Sequence, residues 1–202
     1  MSFAAILLSL IIHENAHGYM ALWCGDPTAK MRGRLSFDPR KHLDPIGTIS
    51  MLFLRIGWAK PVPINPRYFR KYRRDYILVS IAGILANLLL FLISLTVMAV
   101  IEKYARAMWL IYPYRFFYIL AQMNLGLAVF NLLPIPPLDG FRLVDQFLFN
   151  GRLSLNRQTM QIVQIVFLVV CLTGVLGKYL GKIDGAIFDG AYSLICRLFG
   201  IG

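Results

Sequence analysis

Apolar residues in this chain gather into blocks separated by short polar, basic or proline-rich breaks, and the blocks set the expected elements. The first runs from about Phe3 to Trp23 and stops at Gly25-Asp26-Pro27, a turn sequence. A polar, basic stretch follows, and the alternation around Arg34-Leu35-Ser36-Phe37 with its Gly and Pro punctuation predicts a small hairpin. A short apolar piece at 46–56 is too brief to cross a bilayer as a helix, which takes roughly 20 residues. Lys60-Pro61-Val62-Pro63-Ile64-Asn65-Pro66 is predicted to be extended, because prolines at that spacing forbid helix. Longer blocks then run over about 76–101, 116–133 (broken by Pro134-Ile135-Pro136-Pro137) and 159–176, before a weakly amphipathic tail at 183–199.

Composition turns these blocks into membrane elements. The chain is 58% hydrophobic and 15% charged, with a mean hydropathy of +0.63. Soluble domains run nearer 45–50% apolar and about 25% charged. One domain over 1–202 is expected, with full spans at about 3–23, 76–101, 116–133 and 159–176. The net charge of +11 does not point to nucleic acid. Its basic residues fall between apolar blocks, as positive-inside loops do, and no base-stacking aromatics interleave with them in a polar segment.

Charge also orients the chain. Loop 25–45 carries five Lys/Arg and loop 58–75 six, so both are expected on the cytoplasmic side. The piece 46–56 between them then dips in and returns, a geometry tolerated where protein or a watered cavity surrounds it. With four spans the N-terminus lies outside, and 134–158 joins 25–75 in the cytoplasm. Trp58, Tyr76, Trp109 and Tyr112 read as interface anchors, and the cluster at 67–74 as facing anionic headgroups. Cys24, Cys171 and Cys196 are scattered, which argues against a disulfide framework or a Cys-type zinc site. The polar groups inside the first block argue against a cleaved signal peptide.

Those polar groups carry the chemistry. In His13-Glu14-Asn15-Ala16-His17 the two imidazoles sit at i and i+4, on one helix face, where both reach one metal. Zinc takes imidazole nitrogens and keeps a position for water in catalytic sites, and Glu14 can move that water's proton. Two His and a Glu within hydrocarbon are costly, about 2–3 kcal/mol for a central carboxylate, so a functional role is the default. The set lacks a ligand, and Asp139 of Pro137-Leu138-Asp139-Gly140 is the candidate because the fourth block ends on the same side as the first. Alone, Asp139-Gly140 after prolines would be a turn. His42, beside Asp44-Pro45, is either a further ligand or a loop histidine hydrogen-bonding locally.

With HENAH (13–17) in a membrane helix and NLLPIPPLDG (131–140) far downstream, the chain resembles the site-2 protease family of intramembrane zinc metalloproteases. GWAKPVPINP (57–66), SIAGILAN (80–87) and the stretch at 41–47 resemble segments of its small bacterial branch without a PDZ domain, so the resemblance covers about residues 8–177. It implies an all-α polytopic fold with a three-helix catalytic core from the first, third and fourth blocks, plus one further span. It implies one zinc ion held by His13, His17 and Asp139, with Glu14 as acid/base. It also implies substrate contact by Asn131 and Asn87, although either could instead join helices by hydrogen bonding, the favoured reading for Asn87. Phe141 departs from the pattern, since a small residue is more usual after LDG.

The resemblance implies a multi-pass cell-membrane endopeptidase cutting transmembrane protein substrates, in regulated proteolysis or peptide clearance, and the charge pattern sets its site near the cytoplasmic leaflet. The lipid bilayer is its other partner; nucleic acid is not. Substrate backbone could pair with 60–63 or with the hairpin at 34–37. Two rivals are weaker. An inactive homologue sheltering membrane proteins has no use for Glu14 at this depth, and a metal transporter built on the same ligands would be expected to show repeats.

Overall fold

The computed structural model describes residues 2–44, 47, 60–104, 108–153 and 156–201. The re-entrant piece expected at 46–56 lies outside these residues except for Gly47, and so does Trp58. The helices are α1 (Ser2–Cys24), α2 (Thr28–Met31), α3 (Tyr72–Tyr104), α4 (Ile111–Asn131), α5 (Asp139–Leu148), α6 (Arg157–Leu172) and α7 (Val175–Leu198), with short 3-10 turns between some of them.

Local signals end the helices where the breaks predict. Gly25, at φ 111°, closes α1 by turning the chain back, so that Asp26 N–H reaches Ala21 O at 2.8 Å. Past α4, the Pro136-Pro137 peptide is cis and α5 begins at Asp139, whose carboxylate suits the partial positive charge of a helix N-terminus. Arg73 donates to Gln146 O and Phe147 O, which fastens the C-terminal end of α5 to the start of α3.

The core is a three-helix arrangement in which α3 packs on both α1 and α4, and α1 also meets α4. Small buried residues (Ala5, Ala21, Ala82, Gly83, Ala121, Ala128) let the backbones approach closely. Phe91, Leu95 and Met98 of α3 pack with Ala121 and Leu125 of α4 and Phe188 of α7. A buried amide ties α1 to α4, where Asn124 Nδ2 donates to Ser9 Oγ at 2.8 Å.

Among the described residues α3 alone is long and apolar enough by itself to cross a bilayer. The apolar run of α1 is broken by His13, Glu14, Asn15 and His17, although its 23 residues reach spanning length. The span expected at 159–176 is interrupted: α6 stops at Leu172, Gly174 takes φ 72°, and α7 sets off at 71° to α6. The tail read as weakly amphipathic is therefore most of a full helix packed across α4 and α3. Outward faces are apolar, as at Leu85, Leu89 and Leu92 of α3 and Ile162, Ile165 and Val169 of α6.

The hairpin expected near 34–37 does not form, and no strand occurs among the described residues. Side chains take the hydrogen bonds a partner strand would have made. Asn15 brackets Ser36, donating from Nδ2 to its carbonyl at 2.8 Å and accepting its N–H at 3.2 Å. His42 Nε2 donates to the same carbonyl at 2.7 Å.

Candidate metal centre

Two short pieces of chain converge at one point. One turn of α1 presents His13 and His17, and the N-terminus of α5 presents Asp139. Nε2 of His13 and Nε2 of His17 are 3.0 Å apart, and Asp139 Oδ2 lies 3.3 Å from the first and 3.0 Å from the second. All three residues are buried, at 5–6% exposure. Asp139 Oδ2 is enclosed yet has no well-directed hydrogen bond. A tetrahedral zinc with bonds of about 2.0–2.2 Å would hold its ligand atoms about 3.3 Å apart. The donor set therefore fits zinc in both chemistry and spacing. Burial works against charge on Asp139, but protonated His13 and His17 rings hydrogen-bonded to it would offset that and hold the carboxyl below the usual carboxylate range.

The surroundings of the imidazoles fix which nitrogen faces the cluster. His17 Nδ1 lies 2.7 Å from the carbonyl of Val79, which can only accept, so Nδ1 carries the proton and Nε2 keeps its lone pair for a metal. His13 Nδ1 lies 3.2 Å from the amide of Asn87, whose Oδ1 is otherwise buried and unpartnered. One reversal of that amide sets Oδ1 against an Nδ1–H and leaves His13 Nε2 equally free. Asn87 is fully buried behind His13, not on the cavity wall.

Beside the Nε2 and Cε1 edges of the imidazoles the backbone of α3 comes unusually close. A Cβ at Gly83 would fall 2.4 Å from His17 Nε2 and 2.6 Å from His13 Cε1. Only glycine fits while the rings hold these positions. Gly140 has the same character, since a Cβ there would meet Leu132 O at 2.3 Å. That contact seats α5, and Asp139 with it, on the end of α4.

The cluster opens into a cavity of about 550 Å³. Glu14 is on its wall with Oε2 accepting from Val62 N–H at 2.7 Å. Pro61 and Pro63 have no N–H, so Val62 is the single donor of that triplet. Other side chains hold the same segment: Arg34 donates to Lys60 O and Pro61 O, and the buried Asp26 accepts Asn65 N–H at 2.6 Å. Asn131 and Arg142 also line the cavity, and Arg142 approaches Asp139 Oδ1 at 3.4 Å.

The structure therefore brings His13, Glu14, His17, Asp139 and Asn131 to one cavity, with Asn87 in support. His42 stands apart from the cluster and takes its local hydrogen bond to Ser36. Tyr76, read as an interface anchor, is on the cavity wall. Sequence reasoning missed Gly83, Val62 and Arg142. Two of these had a signal: Gly83 is one turn before Asn87, and Arg142 one turn after Asp139.

Residues 96–174, which include Asn131 and Asp139, match peptidase family M50. The chain is 43% identical over 177 residues to the Bacillus subtilis protein named "Putative zinc metalloprotease YwhC", covering 86% of this chain and 80% of that one. It is 29% identical over 196 residues to "Putative zinc metalloprotease Rip2" of Mycobacterium tuberculosis H37Rv, covering 94% of this chain and 73% of that one. No solved structure matches it.

Proposed function

The chain belongs to peptidase family M50, the site-2 proteases, and from that premise we propose that this zinc metalloprotease cuts transmembrane segments of other proteins within the bilayer. The observation that carries the reading is the convergence of His13 Nε2, His17 Nε2 and Asp139 Oδ2 within 3.0–3.3 Å, beside Glu14, in one cavity. His13, His17 and Asp139 would hold the ion. When bound there, zinc supplies a Lewis acid that activates water and polarises the scissile carbonyl.

The rest falls to the chain's own groups. Val62 N–H fixes one oxygen of Glu14, leaving Oε1 to take a proton from water and return it to the departing amine. Val79 O and Asn87 hold the rings so that both Nε2 atoms face inward. Asn131, on the wall, is placed to hydrogen-bond substrate backbone. The extended segment 60–64 beside the cluster is the surface against which an unwound substrate strand would pair. The segment 34–37 is a poor candidate for that role, because Asn15 and His42 already occupy its backbone.

A multi-pass arrangement with this cavity near the cytoplasmic leaflet completes the reading. The basic loops at 25–45 and 58–75 and the apolar outer faces of α3 and α6 support it.

The test compares wild type with Glu14→Gln and His13→Ala, purified in detergent. Wild type should carry one zinc and cut a transmembrane peptide with a loosened centre. Glu14→Gln should keep the zinc and lose cleavage by about 10²–10⁴-fold, the usual share of a positioned acid/base. His13→Ala should lose the zinc. Wild type that holds zinc and cuts no transmembrane peptide, or Glu14→Gln that cuts at the wild-type rate, would sink the proposal.

A further inference from the structure

We propose that Arg142 is a specificity-determining residue, binding a carboxylate side chain of the substrate one or two residues from the cut bond. The inference rests on the proteolytic reading above and names a class of sequence the site prefers.

Three observations lead to it. Arg142 is the only Lys or Arg lining the metal cavity among the described residues. Its guanidinium is also underused. Three other arginines each make two contacts to structural acceptors: Arg34 with Lys60 O and Pro61 O, Arg73 with Gln146 O and Phe147 O, and Arg74 with Asp75. Arg142 makes one long contact, 3.4 Å to Asp139 Oδ1, and its side chain is 42% exposed. A planar fork with five N–H donors and a single weak contact is suited to a bidentate carboxylate.

The third observation is charge. Two carboxylates, Glu14 and Asp139, would balance a divalent ion held with two neutral imidazoles. Arg142 then remains as one uncompensated positive charge on the wall, and a cavity with low-dielectric sides concentrates its field. Position narrows the class further. Arg142 is within 3.4 Å of a ligand carboxylate, and an extended substrate advances about 3.3 Å per residue. Its partner therefore comes from a residue next to the cut, not from the far end of the segment.

The test uses Glu14→Gln protein in neutral detergent, so that binding is read without turnover. The probes are end-blocked transmembrane peptides with a loosened centre carrying Glu, Gln or Lys in turn at each central position. At one position the Glu peptide should bind about fivefold to tenfold tighter than its Gln counterpart, as expected for a half-exposed charge-assisted contact. Adding Arg142→Gln should bring that ratio to about one, and Arg142→Glu should turn the preference to Lys. Raising salt should shrink the ratio. An unchanged ratio in Arg142→Gln, or equal weakening of all peptides by it, overturns the proposal. So does an Arg142-dependent retention of phosphatidylglycerol without any preference for Glu, which would assign the fork to lipid phosphate. Cleavage of the same peptides by the Glu14 protein is scored separately. Failure to cut would count against proteolysis, while the binding ratios still decide the role of Arg142.

Discussion

Gly83 sets how closely α3 can back the metal centre, because a methyl there would lie 2.4 Å from His17 Nε2. Gly83→Ala should therefore lower zinc affinity by about tenfold or more, a loss typical of disturbed ligand support. Metal titration of the purified protein measures this. Helix content should not fall, since Ala is the better helix former by about 1 kcal/mol. Retained zinc affinity would show that the rings move aside. Asn87→Leu removes the partner of His13 Nδ1 and should cost about 10–100-fold in zinc affinity. The difference between Gly83 and His13 is instructive. The pairing of His13 with His17 was legible because one helical turn decides it. The fit of Gly83 was not, because it depends on a ring from another helix.

At the scale of elements, the extended segment 60–66 links the fold to Glu14. Its proline spacing forces extension, and that much was readable. Where it docks was not, since each anchor is far away in sequence: Glu14 for Val62, Asp26 for Asn65 and Arg34 for Lys60. Val62→Pro deletes the N–H that holds Glu14 and should reduce turnover with zinc content kept, whereas Val62→Ile, which keeps the N–H, should not share that effect. Single-turnover cleavage beside a metal assay separates the two. Asp26→Ala strips acceptors from Thr28 and Asn65 and should destabilise the protein by about 1–3 kcal/mol, the cost of donors left unpaired. Thermal unfolding in detergent checks it. The missing hairpin at 34–37 has the same explanation in reverse. Its alternation looked like a strand, but a side-chain amide, Asn15, offered the backbone the same pair of hydrogen bonds.

At the scale of the whole molecule, the proposed orientation can be tested by labelling. In a cysteine-free background, Lys178→Cys should react with an impermeant maleimide on intact cells and Lys41→Cys only after permeabilisation. The opposite pattern would invert the orientation. The sequence by itself determined the helical class, the breaks after α1 and α4, and the placing of His13 and His17 on one turn of α1. These rest on local quantities: proline geometry, apolar run length and the 3.6-residue turn. Tertiary structure alone decided the rest. It seated Asp139 against His13 and His17, hid Asn87 behind His13 and gave Glu14 its partner in Val62. It also left Arg142 unspent on the cavity wall. Each of those contacts except the last joins residues tens of positions apart, and no local pattern encodes which of several buried polar groups will meet once helices pack. One helical turn could pair the two imidazoles of α1, and only packing could set Asp139 beside them.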